Sequence, residues 1–463
     1  MLRSLAIGDF SVCMGQGLIQ WGGFAFGMGA DAINIKRTAP LLQPYHSAGE
    51  INFQRGVGAE LAKGKWQGAA FVSMRRLDAN LVSDTVQNGE RWISALQSSG
   101  YHRTFAEQED KAAVRKIMLG ASLGFRAKRF HLRLNWIGSQ LSLPLQVSAD
   151  LYKLFEGGGR LFNNFSLDYA FTRRNWHFFG ETAIDRNFNI ATLNGLLANL
   201  SASAAIAILF RRLPAGYSSP GAATFSESSD PANESGVYIG ITLKASERFM
   251  LSGYADFFSH PWLRYRVDKP APGAGYLLRV QYTPSRQLNM ETSLRFRKSS
   301  INYNTVGYTF SPVLEQVSES VRFQLNYLLS NAFTIRYRLE AQWFDYHGLS
   351  AEQGLLSYLD LVWKIKKPSV NANLRLQYFE TGGYNSRIYA FENAMIYDWA
   401  ITAFYGYGYR LYMSSNFNVT RRLRAYLHTG IALFPHKELI SSGLDEIKGP
   451  KKTTLKLGLA YRF

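Results

Sequence analysis

The sequence predicts an all-β chain, a transmembrane antiparallel β-barrel, on three observations. Its final stretch, Lys452–Phe463, alternates with period two to the last residue. Most of the chain repeats a unit of two alternating runs joined by a tight turn. No stretch supplies the roughly 18 or more uncharged apolar residues of a membrane helix.

In the final stretch Thr453, Leu455, Leu457, Leu459, Tyr461 and Phe463 share one face, and Lys456, Gly458, Ala460 and Arg462 the other. An apolar outer face, a polar inner face and terminal aromatics are the pattern of strands whose residues alternate between lipid and lumen. Tyr461 and Phe463 are therefore read as the barrel-closing signal. The longest apolar candidate for a helix, Leu196–Phe210, is too short and carries Asn199 and three serines. A membrane chain without such helices must close a barrel, because lipid cannot satisfy an open strand edge.

Composition agrees. A chain of 463 residues would usually split into domains, yet no Pro/Ser-rich linker or charge block separates halves, so residues 1–463 are expected to form one barrel domain. Aromatics reach 14%, with 26 Tyr and 31 Phe, matching the girdles at membrane interfaces. The single Cys13 excludes internal disulfides and cysteine-based zinc sites. A formal charge of +18 favours anionic neighbours: lipopolysaccharide phosphates, nucleic acid or anionic solutes. The opening residues lack a clean signal peptide. An exported barrel needs one, so the native N-terminus is expected to be missing or processed.

In chain order, Arg3–Gln16 reads as the first strand, and residues 17–50 as a Gly-rich loop or plug whose Trp21, Phe24 and Phe26 would form a constriction. The paired runs are Gln54–Ala62 with Trp66–Met74, Ile117–Phe125 with Phe130–Trp136, Phe165–Phe171 with Trp176–Ile184, and Ile190–Ala198 with Ser203–Arg211. Val237–Ala245 with Phe249–Phe257, Tyr276–Tyr282 with Leu288–Phe296, and Val321–Tyr327 with Phe333–Trp343 follow. Leu359–Ile365 with Val370–Tyr378 and Tyr409–Val419 with Leu423–Leu433 complete the series. Turns such as Thr420–Arg422 are short, and connections such as Arg212–Gly236 and Thr381–Gly408 are long. Short periplasmic turns and long extracellular loops are the asymmetry of a bacterial outer-membrane barrel. With the first and last strands the count is about 20, within about 18–22, and even numbers leave both termini periplasmic.

Several spaced motifs resemble the barrel portion of Bacteroidetes outer-membrane proteins known as helix-hairpin-helix domain-containing proteins. They are Gly8-Asp9-Phe10 with Gly15-Gln16-Gly17-Leu18, Ser99-Gly100-Tyr101-His102-Arg103-Thr104, Phe225-Ser226-Glu227 with Asn233-Glu234-Ser235-Gly236-Val237-Tyr238, Pro261-Trp262 with Arg264-Tyr265, and Arg387-Ile388-Tyr389-Ala390-Phe391-Glu392. The resemblance implies an envelope barrel with a link to DNA uptake. The family's upstream DNA-binding module is absent from this sequence, so no residue inherits a DNA contact.

The densest polar cluster outside the strands is His102, Arg103, Glu107 and Glu109, in the long loop 78–112. Ala106–Val114 has helix-forming composition, with Thr104 as N-cap and Glu107 completing a capping box. This is either a ligand-binding loop helix or a loop packed by its own ion pairs. The glycines of Gly15–Gly29 lack G-x-G-x-x-G, any following Lys-Ser/Thr and a βαβ context, which argues against a nucleotide loop. The eight histidines have no metal-ligand spacing, and His131, His177 and His428 fall on lumenal faces. No cofactor or metal is expected. An outer-membrane hydrolase would need a nucleophile–base pair assembled from separate loops, and the chain is not expected to be an enzyme.

The lumenal faces carry Arg279, Arg295, Arg297, Arg322, Arg336, Arg338, Arg375, Arg410, Arg424, Lys456 and Arg462, against fewer acids. A wall with surplus fixed cations concentrates anions. The expected function is a porin-like transport channel or uptake receptor for polar, anionic solutes or polymers. The alternative is a non-conducting barrel that docks envelope proteins. Expected partners are outer-membrane lipid and lipopolysaccharide, the barrel assembly machinery, and nucleic acid or an anionic solute.

Overall fold

Period-two alternation makes strands wherever side chains can sort to two faces, and this chain does so along nearly its whole length. The computed structural model describes all residues except 26, 48, 50–52, 84–89, 304–311, 348, 350, 368, 397–399 and 463, with Ala400 described by its backbone alone. Two compact units are present. The first is Met1–Thr242 with Tyr254–Ala274 and Ser300–Val313; the second is Leu243–Gly253 with Gly275–Ser299 and Leu314–Phe463.

The first unit holds a ladder of β1 (Leu2–Val12), β2 (Gln54–Lys63), β3 (Trp66–Leu77), β4 (Val114–Arg126), β5 (Phe130–Leu145), β6 (Gly159–Arg173), β7 (Trp176–Asp185), β8 (Ile190–Asn199) and β9 (Ala204–Leu213). Each strand pairs antiparallel with the next. Four strands follow: β10 (Glu234–Lys244), β11 (Phe249–His260), β12 (Ala271–Tyr282) and β13 (Leu288–Asn302). The ladder of the second unit is built from β14 (Val313–Ser330), β15 (Phe333–Tyr346), β16 (Ala351–Ile365), β17 (Val370–Thr381), β18 (Tyr407–Asn418), β19 (Leu423–Leu433) and β20 (Lys451–Tyr461). It too is an unbroken antiparallel meander. Each expected paired run falls within a strand to within a residue, several strands extending further, and with the first and last they give β1 to β20. The first stops at Val12 rather than Gln16, and the expected long loop 78–112 holds a short hairpin, Ala79–Ser83 with Arg91–Leu96. Tight turns close one end of the hairpins; Gly64, at φ 59°, takes the left-handed conformation that the β2–β3 turn requires.

Burial decides the environment. On β17 the buried face is Asn373, Arg375, Gln377, Phe379 and Thr381, while Leu376 on the opposite face is 59% exposed. On β7, Glu181 and Asp185 are buried and Trp176 and Phe178 exposed. On β9, Arg211 is fully buried beside an exposed Phe210. A water-soluble sheet would sort these residues the other way. Apolar outside and polar inside is the signature of a transmembrane β-barrel wall. The chain has the fold class of a transmembrane β-barrel protein.

Two segments cover inward faces. In the first unit residues 13–41 run from β1 to the short strand Leu42–Pro44, which pairs with β1. Met14, Leu18, Ile19, Ile35 and Leu41 from this stretch pack with Phe10, Phe71, Phe179, Leu193, Leu209 and Tyr238 in one apolar cluster. Fully burying each such aliphatic side chain contributes about 1.5–3 kcal/mol. In the second unit the hairpin Ile388–Glu392 with Ala400–Phe404 lies within what the sequence presents as a long connection. Its Ile388, Ala390 and Phe404 pack on Leu356 and Phe379.

In the loop between β3 and β4 the helix is short, Phe105–Glu109. The capping box forms as expected: Thr104 Oγ1 accepts from the Glu107 amide at 3.1 Å, and the Glu107 carboxylate accepts from the Thr104 amide. The helix does not reach Val114. Ala112 turns to φ 51°, and Val114 opens β4.

Candidate functional site: the arginine-lined inward face

Alternation along β14 to β18 places Arg322, Arg336, Arg338, Glu340, Asp360, Arg375 and Arg410 on the inward face. Buried charges are tolerated only when paired and hydrogen-bonded, and most of these are. Arg375 holds Asp360 through two parallel bonds, Nε to Oδ1 at 2.6 Å and Nη2 to Oδ2 at 2.7 Å. Its third nitrogen donates to the Phe391 carbonyl at 2.7 Å, and its guanidinium lies 3.7 Å from the centre of the Tyr358 ring. Glu340 takes Arg322 in the same forked geometry, at 2.9 and 3.0 Å. Glu340 also bonds Arg338, which donates to the Tyr389 carbonyl at 2.9 Å. Arg410 pairs with Glu392 of the inward hairpin, Nη2 to Oε2 at 2.7 Å. Three arginines of the wall thus anchor the hairpin at Tyr389, Phe391 and Glu392.

Arg336 stands apart. Among the described residues it has no ion-pair or hydrogen-bond partner, because Asp360, opposite it in register, is taken by Arg375. It borders a cavity of about 200 Å³ lined also by Gln324, Asn326, Tyr358, Asp360, Arg375 and Asn393.

In the first unit the inward-folded segment is held by a buried carboxylate. Glu181 Oε2 accepts from the Gln16 amide at 2.6 Å and the Leu18 amide at 3.0 Å. Gly15 lies so close that a Cβ there would sit 2.5 Å from the Glu181 carboxyl carbon. Tyr217 donates to the Leu18 carbonyl at 2.9 Å, and Tyr238 to the Ala32 carbonyl at 2.9 Å. A cavity of about 350 Å³ in this segment is lined by Trp21, Phe24, Asn34, Lys36, Arg37 and Gln43, among others. Burial holds the Lys36 ammonium and the Arg37 guanidinium below their ordinary ranges. Lys36 lies 2.7 Å from His177, and Arg37 donates to the Thr224 carbonyl at 3.0 Å.

The eleven expected lumenal cations divide by partner. Arg279 pairs with Glu291 at 2.7 Å, joining Arg322, Arg338, Arg375 and Arg410 as ion-paired groups. Arg295 and Arg297 are exposed on β13. Arg424 donates to Asn418 Oδ1 at 2.9 Å. Lys456 stands opposite His428 in register, and Arg462 follows β20 with its amide on the Arg422 carbonyl. In the loop cluster, His102 bonds Asp78 at 2.7 Å and Arg103 pairs with Glu107 at 3.1 Å, while Glu109 is exposed. These contacts make that loop a self-capped structure. Of the expected constriction, Trp21 is buried and Phe24 exposed; Phe26 lies outside the described residues. Tyr461 is exposed at the end of β20, and Phe463 lies outside the described residues. His131 approaches Asp168 at 3.7 Å, and no cluster of three or more metal-ligating side chains occurs among the described residues.

The Glu181 clamp and the inward hairpin are not anticipated from sequence. The hairpin had a signal: Ile388, Ala390 and Glu392 alternate with Tyr389 and Phe391. The clamp had none, since its donors are backbone amides 163 and 165 residues away in sequence.

No family model matches the chain, and no curated protein matches it. Solved structures with a similar fold include a point mutant of the ferric enterobactin receptor PfeA from Pseudomonas aeruginosa, at 10% identity and TM-score 0.46, covering 89% of this chain and 69% of that one. OmpT, an outer membrane protein of Vibrio cholerae, matches at 11% identity and TM-score 0.35, covering 73% of this chain and 98% of its own. The outer membrane channel DcaP of Acinetobacter baumannii matches at 13% identity and TM-score 0.32, covering 67% of this chain and 91% of its own.

Proposed function

We propose that the chain is an outer-membrane uptake barrel for small polar solutes, with a preference for anions, and that it carries out no catalytic step. The observation that carries this reading is the inward face of β14 to β18, where a fixed cation, Arg336, borders a polar cavity beside an inward-folded hairpin. Pairing reduces the surplus of positive charge expected from sequence, so the preference rests on a few cations and weakens as salt shortens the screening length. The first unit's inward segment is the natural obstruction: it is held by the Glu181 hydrogen bonds and by a buried apolar cluster. The resemblance to the helix-hairpin-helix family supports a role beside DNA uptake only if the complete reading frame encodes the DNA-binding module, which sequencing that frame tests.

The test is a planar bilayer carrying the protein under a KCl gradient, compared with a variant lacking residues 17–44. The reading expects low conductance for the intact chain, higher conductance for the variant, and a reversal potential of the sign set by anions. A cation-selective reversal contradicts the charge assignment. No conductance in either protein favours the second reading, a non-conducting barrel that docks envelope proteins, which the obstructed inward face of the first unit also supports.

A further inference from the structure

We infer that the cavity beside Arg336 is a binding site for a small, hydroxylated monocarboxylate. Three features of the cavity converge. Arg336 offers a planar fork of donors, the geometry that matches a carboxylate through two parallel bonds. Gln324 and Asn326, from β14, border the same cavity, and like Arg336 their side chains have no hydrogen-bond partner among the described residues. Asn393, from the end of the inward hairpin, lines the cavity too. The unpaired Arg336 guanidinium and three carboxamides thus line a space of about 200 Å³ that Asp360, Arg375 and three aromatic residues also border. A cavity of roughly 150 Å³ takes up benzene, so a ligand of somewhat more heavy atoms than that ring fits here.

The charge balance selects the class. Asp360 and Arg375 both border the cavity, but they hold each other in a forked pair and cancel. Arg336 leaves one net positive charge, which matches a monoanion. A phosphate dianion would keep a second charge with no cation to meet it. The carboxamides present both donors and acceptors, which suits hydroxyl groups on the remainder of the ligand. Tyr337, Tyr358 and Phe391 also border the cavity, and the Tyr358 ring is covered by Arg375.

This deepens the uptake reading, on which it rests, but the two fail separately: binding is measured at equilibrium in detergent, with no flux involved. The experiment is calorimetric titration of the complete detergent-solubilised protein with threonate, with erythritol (its uncharged counterpart) and with inorganic phosphate. Threonate is expected to bind most tightly. Arg336→Gln is expected to weaken threonate binding about tenfold to a hundredfold, the loss of a charged hydrogen-bonded pair. Arg336→Lys retains the charge without the fork and falls between, and Arg248→Gln, in the exposed turn before β11 and outside the cavity, leaves binding unchanged. Equal affinity of wild type and Arg336→Gln overturns the site. Erythritol binding as well as threonate overturns the charge recognition, and phosphate binding more tightly than threonate overturns the monoanion class. The last two comparisons use the wild-type protein alone, so a variant that fails to fold does not shield the proposal.

Discussion

Replacing Arg375 by Met is expected to be among the most damaging single changes in the second unit. The substitution keeps much of the side chain's length but removes the partner of Asp360, which is only 2% exposed. It also removes the donor to the Phe391 carbonyl. Stripping one member from a buried ion pair costs about 3–5 kcal/mol, mostly because the other charge stays buried and unmatched. The double variant Arg375→Met/Asp360→Leu removes both charges, and buried pairs replaced by apolar residues of similar volume are often neutral. Only the lost bond to Phe391 remains, about 1.5–3 kcal/mol for a charged donor. The lost bond is common to both variants and cancels, so the double variant should recover about 3–5 kcal/mol relative to the single one. Urea unfolding of the refolded protein in detergent, followed by tryptophan fluorescence, measures both. A double variant as unstable as Arg375→Met would refute the claim that the cost lies in the uncompensated Asp360 carboxylate.

Further outcomes follow from the same geometry. Leu339→Arg puts a cation on the lipid face of β15 and should cost roughly 2–4 kcal/mol near the bilayer midplane, whereas Thr334→Arg on the inward face should cost far less; heat-modifiable migration on gels reads the difference. Glu181→Ala leaves the Gln16 and Leu18 amides without their acceptor, about 1–3 kcal/mol per buried donor, and should speed protease cleavage between residues 22 and 40; an unchanged cleavage rate would remove the clamp from the account. Thr104→Ala deletes the N-cap of the loop helix, about 1 kcal/mol of local stability, and should raise amide exchange at Glu107 without altering barrel folding. Burial pushes the Asp78 carboxyl up, but the Ala112 amide and His102 outweigh it and hold it below the usual carboxylate range. A lowered folded value means that the loop anchor is fully present above the unfolded value near 4 and is lost as pH falls through the folded one. Exchange at Ala112 should rise across that window, and Asp78→Asn should abolish the pH dependence.

The strands were legible because each is a local pattern. Leu376 between Arg375 and Gln377 needs only its neighbours to declare which side faces lipid. The capping box was legible for the same reason, with Thr104 and Glu107 three residues apart. Pairing was not. Arg338 and Arg336 look alike in sequence, two residues apart on one face, yet Arg338 is buried against Glu340 and Tyr389 while Arg336 borders the cavity. That difference depends on which carboxylate the register delivers and on the inward hairpin of Ile388–Glu392 with Ala400–Phe404, neither of which is local. The Glu181 clamp was invisible for a related reason: backbone amides carry no sequence signal.

Uptake of threonate into liposomes bearing the complete protein tests the central claim most directly. The account predicts entry that is faster than that of choline, a cation of similar size, that slows at high salt, and that accelerates when residues 17–44 are removed. Choline entering as fast as threonate, or neither entering after that removal, would contradict it.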